Sequence, residues 1–374
     1  MSIFSRADNS VFGRWWWTVD RWSLAALAIL IGIGIVLILA ASPPVATRLN
    51  LDDFYFVKRH LNMVPVAVAL IFGISMMSPT HIKRFAVIAF LGVCFLLVMT
   101  LAVGNEINGA KRWIYVVGFS LQPSEFIKPL FAVVTAWLLS EQCRDPKFPG
   151  RKIAVASLLA VLAIVVLQPD LGQAFVLTAV WLAQLFLAGL SISLVLVLLV
   201  LGVIGLVGAY LTMPHVTSRV DRFLDPSSGD TYQVRRSLEA FSNGGLAGRG
   251  PGEGQVKNVL PDAHSDFIFA VAGEELGILA ALALVAIFAF IVLRGFSRAL
   301  QDQNLFVILA TAGLFAQFGV QALINMASTL NMMPTKGMTL PFISYGGSSL
   351  TALALGMGMA LALTRRRPGE RPEQ

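Results

Sequence analysis

Asp266 closes the run Leu260-Pro261-Asp262-Ala263-His264-Ser265-Asp266 and is followed at once by an apolar stretch beginning at Phe267. Ser, Thr and Asp are favoured at helix starts, so this carboxylate could simply cap the helix that follows. At about 100° per residue, however, Asp266, Gly273 and Gly277 fall on one stripe, and Gly-x-x-x-Gly spacing lets another helix approach closely. A carboxylate at the mouth of such a crossing is partly desolvated, which raises its pKa toward the range of a general base. Glu274 lies about 80° from the stripe. Glu275, nearly opposite it, is expected to pair with another span.

Placing an ionisable side chain in hydrocarbon costs on the order of 2.5 to 3.5 kcal/mol, so every such residue is a functional candidate. Glu125 and Lys128 stand three residues apart on one helix face, close enough to pair and to lower the cost of burying either. Two readings stay open: a salt bridge that locks the helix, or a pair that positions a polar cavity or holds a charged substrate group. His264 reads as a loop histidine, because no His-x-x-x-His or paired-cysteine pattern accompanies it. A divalent ion, Mg2+ or Mn2+, could be held between Asp266 and a substrate diphosphate, but the sequence offers no dedicated cage. Among basic residues, Arg235 and Arg236 look best placed for phosphate oxygens, followed by Lys336 and then by Lys111 and Arg112. Anionic headgroups or a protein partner remain alternatives for each.

What must position these residues is a membrane domain. With 56% hydrophobic and 13% charged residues among 374, the chain cannot build a water-facing surface. Windows of about nineteen residues predict an all-α protein with ten transmembrane helices, over residues 23–41, 61–77, 85–103, 122–140, 153–167, 171–190, 192–213, 267–293, 305–327 and 342–363. An even number of spans puts both termini on one side. That side carries fifteen lysines and arginines, among them Arg6, Arg14, Arg294, Arg298, Arg366, Arg367 and Arg371, against six in the short loops opposite. The excess of positive charge makes the termini cytoplasmic.

Residues 1–22 then form a cytoplasmic lead-in, with Trp15, Trp16 and Trp17 at the headgroup level, and 23–364 the membrane domain. Residues 365–374 form a cytoplasmic tail, whose arginines read as a stop-transfer anchor rather than a nucleic-acid site. The first span reads as a retained signal anchor. Cys94 and Cys143 have no Cys-x-x-Cys spacing and support neither a disulfide framework nor a zinc site. The long outer connection 214–265, between spans seven and eight, is glycine-rich and carries Arg219, Arg222, Arg235, Arg236, Arg249 and Lys257. Unstructured loops beyond about 15 residues are usually functional, so the chemistry is sought there.

Five motifs in order carry a resemblance: Ala110-Lys111-Arg112-Trp113; Gln122-Pro123-Ser124-Glu125-Phe126-Ile127-Lys128; Gln168-Pro169-Asp170-Leu171-Gly172; Ala263-His264-Ser265-Asp266-Phe267 with Gly273-Glu274-Glu275-Leu276-Gly277; and Asn331-Met332-Met333-Pro334-Thr335-Lys336-Gly337 with Leu340-Pro341-Phe342-Ile343-Ser344-Tyr345-Gly346-Gly347-Ser348-Ser349. Together they resemble the SEDS (shape, elongation, division and sporulation) family of bacterial membrane proteins. The Pro334-Thr335-Lys336-Gly337 wording is nearer to the division member than to the elongation member.

The resemblance implies a ten-span peptidoglycan glycosyltransferase of the bacterial inner membrane. It would polymerise lipid II on the outer face, at the division septum, beside a class B penicillin-binding transpeptidase and other division proteins. Membrane lipids are expected partners and nucleic acid is not. The resemblance also places an essential aspartate at Asp266. On this reading Asp266 takes the proton of an acceptor 4-hydroxyl while Arg235, Arg236, Lys111, Arg112 or Lys336 offsets charge on the departing diphosphate, with inversion at the anomeric carbon. Glu125, Lys128, Asp170, His264, Ser265 and Glu274 would support the cavity. The rivals are a transporter that flips lipid II, which buried charges would also suit, and a scaffold that only activates the transpeptidase. The unusual residues crowd toward the outer side, which favours the enzyme.

Overall fold

Each of the ten apolar stretches falls on a helix in the computed structural model, which describes residues 10–107, 110–116, 119–225 and 231–365. Arg6, Arg366, Arg367 and Arg371, counted above toward the cytoplasmic side, lie outside the described residues, as does nearly all of the 365–374 tail.

A short helix α1 (Val11–Thr18) precedes α2 (Arg21–Arg48), α3 (Tyr55–Ser75) and α4 (Pro79–Val103). Three short strands follow, β1 (Asn105–Ile107), β2 (Ala110–Val116) and β3 (Phe119–Leu121), and then α5 (Pro123–Arg144), α6 (Gly150–Leu167), α7 (Leu171–Leu187) and α8 (Ile192–Thr212). The long connection contains α9 (Pro214–Leu224), α10 (Tyr232–Gly244) and a 3-10 turn at Val256–Asn258. The chain closes with α11 (Ile268–Ala299), α12 (Leu305–Thr329) and α13 (Gly347–Leu363). Among the described residues seven helices, α2, α3, α4, α6, α8, α11 and α12, are long and apolar enough to cross a membrane, while α7 and α13 are shorter apolar helices. In hydrocarbon the backbone must satisfy its own polar groups, which is why these runs are helical. Pro79, Pro123 and Pro214 open α4, α5 and α9 at the position where no amide is needed.

The core is unevenly shared. Nearly every residue of α5 from Pro123 to Ala136, most of α12 and almost all of α13 are buried, whereas α8 buries none. The described ends of the chain meet on one side: the Arg365 guanidinium donates to the Thr18 hydroxyl at 3.0 Å, and Asp20 accepts from Arg294 at 2.6 and 2.8 Å. Asp266 lies at the other end of the helix that carries Arg294, so the termini and Asp266 face opposite sides.

The all-α class holds, with one addition and two corrections. Between α4 and α5, β1, β2 and β3 form a small antiparallel sheet in that order, with Ile114 opposite Leu121 and Glu106 opposite Lys111. The run Trp113-Ile114-Tyr115-Val116, aromatic and β-branched, suits a strand in a connection too short to form another span. The long connection is not an unstructured loop, since α9 and α10 occupy much of it. The last helix begins at Gly347 rather than at residue 342, because Phe342 has a positive φ of 62° that a helix cannot continue.

The Gly273/Gly277 stripe also does something other than receive a membrane span. Helix α11 breaks at Gly277, whose φ of 82° and ψ of 174° leave the helical region. The glycine loop after α10 fills the break: the amides of Ile278 and Leu279 donate to the carbonyls of Gly245 and Leu246, at 2.9 and 3.3 Å, while those of Arg249 and Gly250 donate to Glu274 and Glu275, both at 3.0 Å. Backbone groups freed by a broken helix are thereby paired again. A Cβ on Gly277 would sit 2.4 Å from the Gly248 nitrogen, so the loop can enter only because that position is glycine.

Candidate active site

The turn that carries Asp266 is stitched to the segment between α12 and α13. The Asn325 side-chain amide donates to the carbonyl of Asp266 at 2.9 Å and to that of Met338 at 2.6 Å. The Tyr345 amide donates to the His264 carbonyl at 2.9 Å, and the Ser344 hydroxyl donates to that of Ser265. Asp266 does not cap α11; Phe267 occupies that position, with no side-chain bond to the first turn. Its carboxylate is instead left for other work, facing Gly337, where an added Cβ would lie 3.0 Å from Oδ2. Burial, and then the nearby Asp262 charge, push its pKa up to about 7, with Arg219 opposing.

Arg219 is the cation that acts on it, and Arg219 stands with Arg112 and Lys336 around Asp170. Arg219, on α9, feels burial first and then the charges of Arg112 and Arg222, all of which lower its pKa, while Asp170 and Asp266 raise it. Lys336, from the same segment as Gly337, is pushed down to about 8 by burial and by Arg219 and Arg112 against the pull of Asp170. Its side chain reaches the start of α7, where Gly172 leaves room for it: a Cβ there would lie 3.6 Å from Lys336 Cδ. Arg112, Arg219 and Lys336 thus repel one another, with Asp170, and for Arg219 also Asp266, as counter-charges. An anion entering there relieves that repulsion.

Arg112 is also a structural clamp. It donates from Nε to the Gln168 carbonyl at 2.9 Å and from Nη2 to that of Pro169, and its Nε lies 4.0 Å from the Asp170 carboxylate. Asp170, whose pKa burial raises and Arg112 lowers, accepts the Gln173 amide at 3.4 Å at the start of α7.

The other candidates separate. Lys111 neighbours Arg112 on β2, and successive strand residues point to opposite faces, so it stands opposite Glu106 in the sheet. Arg236 is engaged with Glu239 on its own helix at 2.6 Å and stacks over Tyr232, and Arg235 is exposed on the same helix, α10. His264 is buried between the rings of Phe56 and Tyr345, at 4.5 and 5.1 Å, and burial followed by Arg48 pushes it down to about 4. It is a neutral packing residue. The Ser265 hydroxyl turns back to the Asp262 carbonyl at 3.3 Å.

Glu125 and Lys128 pair at 2.9 Å, with almost no exposure, and neither is left short of partners. Gln173 donates to Glu125, and Lys128 donates to Gln321 at 2.8 Å. Gln321 in turn donates to the Thr339 carbonyl at 3.2 Å. The network ties α5, α7 and α12 to the segment facing Asp266, which fits the helix-locking reading.

Glu274 accepts the Gln255 and Val256 amides, at 3.0 Å each at the shorter contacts. Glu275 pairs with Lys257 at 2.5 Å, and Lys257 also donates to the Gly252 carbonyl at 2.7 Å. Glu275 therefore meets the long connection rather than another span, because the helix break brings that connection inside.

Sequence reasoning passed over Arg219 as a site residue. The available signal was its spacing from Arg222, three residues apart just after the seventh span. Helix α9 is fastened to α8 by the Thr217 hydroxyl donating to the Tyr210 carbonyl and by the Tyr210 hydroxyl donating to Asp221 at 2.8 Å. Among the described residues no three His, Cys, Asp or Glu side chains converge as metal ligands. Asp266 with Asp262 as its one carboxylate neighbour and Arg219 beside it does not fit a dedicated divalent-ion cage.

Residues 21–368 match the family model described as a cell cycle protein, FtsW/RodA/SpoVE. The chain is 44% identical over 367 residues to the probable peptidoglycan glycosyltransferase FtsW of Caulobacter vibrioides, covering 98% of this chain and 94% of that one. It is 33% identical to the stage V sporulation protein E of Bacillus subtilis over 90% of this chain and 94% of the relative. Among solved structures, it resembles a chain of a peptidoglycan synthase complex studied for its coordination of polymerization and crosslinking, with a TM-score of 0.76, 26% identity, and coverage of 92% and 97%. It also resembles the rod shape determining protein RodA of Thermus thermophilus, with a TM-score of 0.69, 25% identity, and coverage of 93% and 97%.

Proposed function

The chain belongs to the FtsW/RodA/SpoVE family of multi-pass membrane proteins, and from that membership we propose that it is a division-type peptidoglycan glycosyltransferase whose general base is Asp266. The observation that supports the assignment of the base is the buried carboxyl facing Gly337, pushed up to about 7 with Arg219 beside it, while Arg219 itself stands with Lys336 and Arg112. A base with that pKa is about half ionised at neutral pH, so it can accept a proton and readily give it up again.

In the proposed reaction the 4-hydroxyl of the acceptor lipid II attacks the anomeric carbon of the lipid-linked glycan. Its proton passes to Asp266, the new glycosidic bond forms, and the bond to the undecaprenyl diphosphate breaks. The electron pair leaves with the diphosphate, whose charge Arg219, Lys336 and Arg112 offset. One displacement with no covalent enzyme intermediate inverts the anomeric centre. A Mg2+ or Mn2+ ion would come as the counter-ion of the diphosphate, since the residues present make no cage for it.

The match to a chain of a peptidoglycan synthase complex supports a class B transpeptidase as partner. The positive charge on the termini side supports cytoplasmic termini and an outward-facing Asp266, and the likeness to FtsW supports a place at the septum. The flippase reading loses support from the Glu125–Lys128 pair, whose partners are all met by neighbouring helices.

The test supplies purified protein and its transpeptidase partner with lipid II. Polymer made by the wild type and abolished in Asp266→Asn is the expected result. Polymer from the variant, or none from the wild type with any partner, overturns the proposal.

A further inference from the structure

Beyond Arg112, the proposed chemistry uses nothing of the sheet between α4 and α5. One step along β1, from Glu106 to Asn105, matches two steps along β2, from Lys111 to Trp113. Arg112 is the extra residue, the mark of a β-bulge, which re-aims the strand around it. Residues directly across a ladder share a face, and successive residues of a regular strand alternate. Lys111 therefore lies with Glu106 on one face, and Trp113 with Asn105 on the other. Past the bulge the register is regular, and Tyr115 stands across from Ser120. Tyr115 is two residues from Trp113, about 7 Å along the strand, so it shares the face of Trp113 and Asn105. That face holds two aromatic rings, with an amide at one end and a hydroxyl at the other. Tyr115 is 55% exposed and Asn105 is exposed, while Trp113 and Ser120 are half-buried.

The sheet is fastened to the bundle at two places. Arg112 holds the carbonyls of Gln168, at 2.9 Å, and Pro169, just before α7. The Ser348 hydroxyl, on α13, donates to the Ser120 carbonyl at 3.0 Å and accepts the Gln122 amide at 3.1 Å. A surface fixed in this way loses little freedom when a ligand settles on it.

The chemistry of the four side chains selects the ligand. An aromatic ring is negative on its face and attracts the C–H groups that a pyranose presents on its two sides. An amide and a hydroxyl can both donate to and accept from sugar hydroxyls and acetamido groups. None of the four residues is charged, so an anion is not what they attract. Arg112, one residue from Trp113, belongs to the cations assigned to the departing diphosphate, and in a lipid-linked glycan the sugars are joined directly to that diphosphate. On the reading of the chain as a polymerase of lipid-linked sugars, we propose that Trp113 and Tyr115 form a glycan platform that stacks sugar rings of the donor strand, with Asn105 and Ser120 hydrogen-bonded to their substituents. The platform keeps the strand beside Arg112 between additions and so favours long products.

The test is binding of a peptide-free tetrasaccharide of alternating N-acetylglucosamine and N-acetylmuramic acid to the full-length chain in detergent, followed by ligand-observed NMR. Trp113→Ala and Tyr115→Ala should each weaken binding by about fivefold, the scale of one lost aromatic contact, and Trp113→Phe should keep most of it. Asp266→Asn should bind as the wild type does, which separates the platform from the base. Supplied with lipid II, Tyr115→Ala should make shorter strands than the wild type. Tyr115 is more than half exposed, so its variant decides the matter if Trp113→Ala fails to fold. No tetrasaccharide binding by the wild type, or binding that Tyr115→Ala leaves unchanged, overturns the platform even where the wild type makes polymer. Binding that depends on Tyr115 in a chain that makes no polymer overturns the assigned reaction and leaves the platform standing.

Discussion

Asn325, deep in α12, donates one side-chain amide to the backbone carbonyls of Asp266, at 2.9 Å, and of Met338, at 2.6 Å. It therefore sets the distance between the proposed base and the segment that brings Lys336 to it. Asn325→Ala should leave the bundle folded and lower polymerisation by about tenfold, the scale expected of a small misplacement of a reacting group. Asn325→Asp should do no better, since a carboxylate cannot donate to two carbonyls. Lipid II polymerisation at matched protein stability checks this, and wild-type rates in both variants would remove Asn325 from the positioning role.

The rate should depend on pH with two limbs. Asp266 accepts a proton only when ionised, so the rate climbs as pH rises through about 7. Lys336 loses its charge as pH passes about 8, and the rate declines again. Asp262→Asn removes a like charge from Asp266 and should move the acidic limb to lower pH, whereas Arg219→Gln removes an opposing charge and should move it higher. Profiles of kcat/KM with the same acidic limb in both variants would contradict the assignment of the base.

The same raised pKa costs stability. The folded state prefers the neutral acid, so the contribution is fully present below the ordinary value of 3.8 and is lost as pH rises to about 7. Asp266→Asn keeps the shape without the charge, and at pH 8 it should melt about 2 to 4 °C higher than the wild type, while making no polymer. Thermal unfolding in detergent, followed at pH 5 and pH 8, should show the difference shrinking at the lower pH.

Gly277→Ala forces a side chain into a left-handed backbone position and into the Gly248 nitrogen. Strain of this kind costs about 1 to 3 kcal/mol, with the contact adding to it. The expected readout is a lower melting temperature together with faster protease cleavage of the 244–254 loop. Gly252→Ala, with φ of 87° but open space around its Cβ position, should cost less.

Glu125 and Lys128 should behave as a buried pair rather than as reactive groups. Removing one partner leaves an uncompensated charge and costs about 3 to 5 kcal/mol, while replacing both with apolar residues of similar volume is often far milder. The double variant Glu125→Leu/Lys128→Met should therefore be more stable than Lys128→Met and keep most of the polymerisation activity. A stable double variant with no activity would move the pair from scaffold to chemistry.

Apolar length and proline placement made the membrane helices legible, because lipid demands internally bonded backbone wherever the chain crosses it. Asp266 stands out in the sequence as a carboxylate at the start of an apolar run, and the structure places that carboxylate against Gly337. The sheet at β1–β3 was not foreseen, although Trp113-Ile114-Tyr115-Val116 carried its signal. Sequence shows charge without direction, so it ranks Arg235 and Arg236 without seeing that Arg236 pairs with Glu239, which is a property of the folded helix.

The local chemistry of the chain determined which stretches enter the membrane and which side chains are too costly to be there without a role. Only the tertiary structure decided which of them meet. Asn325 lies 59 residues from Asp266, Arg112 lies 56 from the Gln168 carbonyl it holds, and the glycine loop enters α11 at a break that helical periodicity extends through. Those relations depend on loop closure and packing between distant segments, and period and composition along one strip of chain carry no record of them.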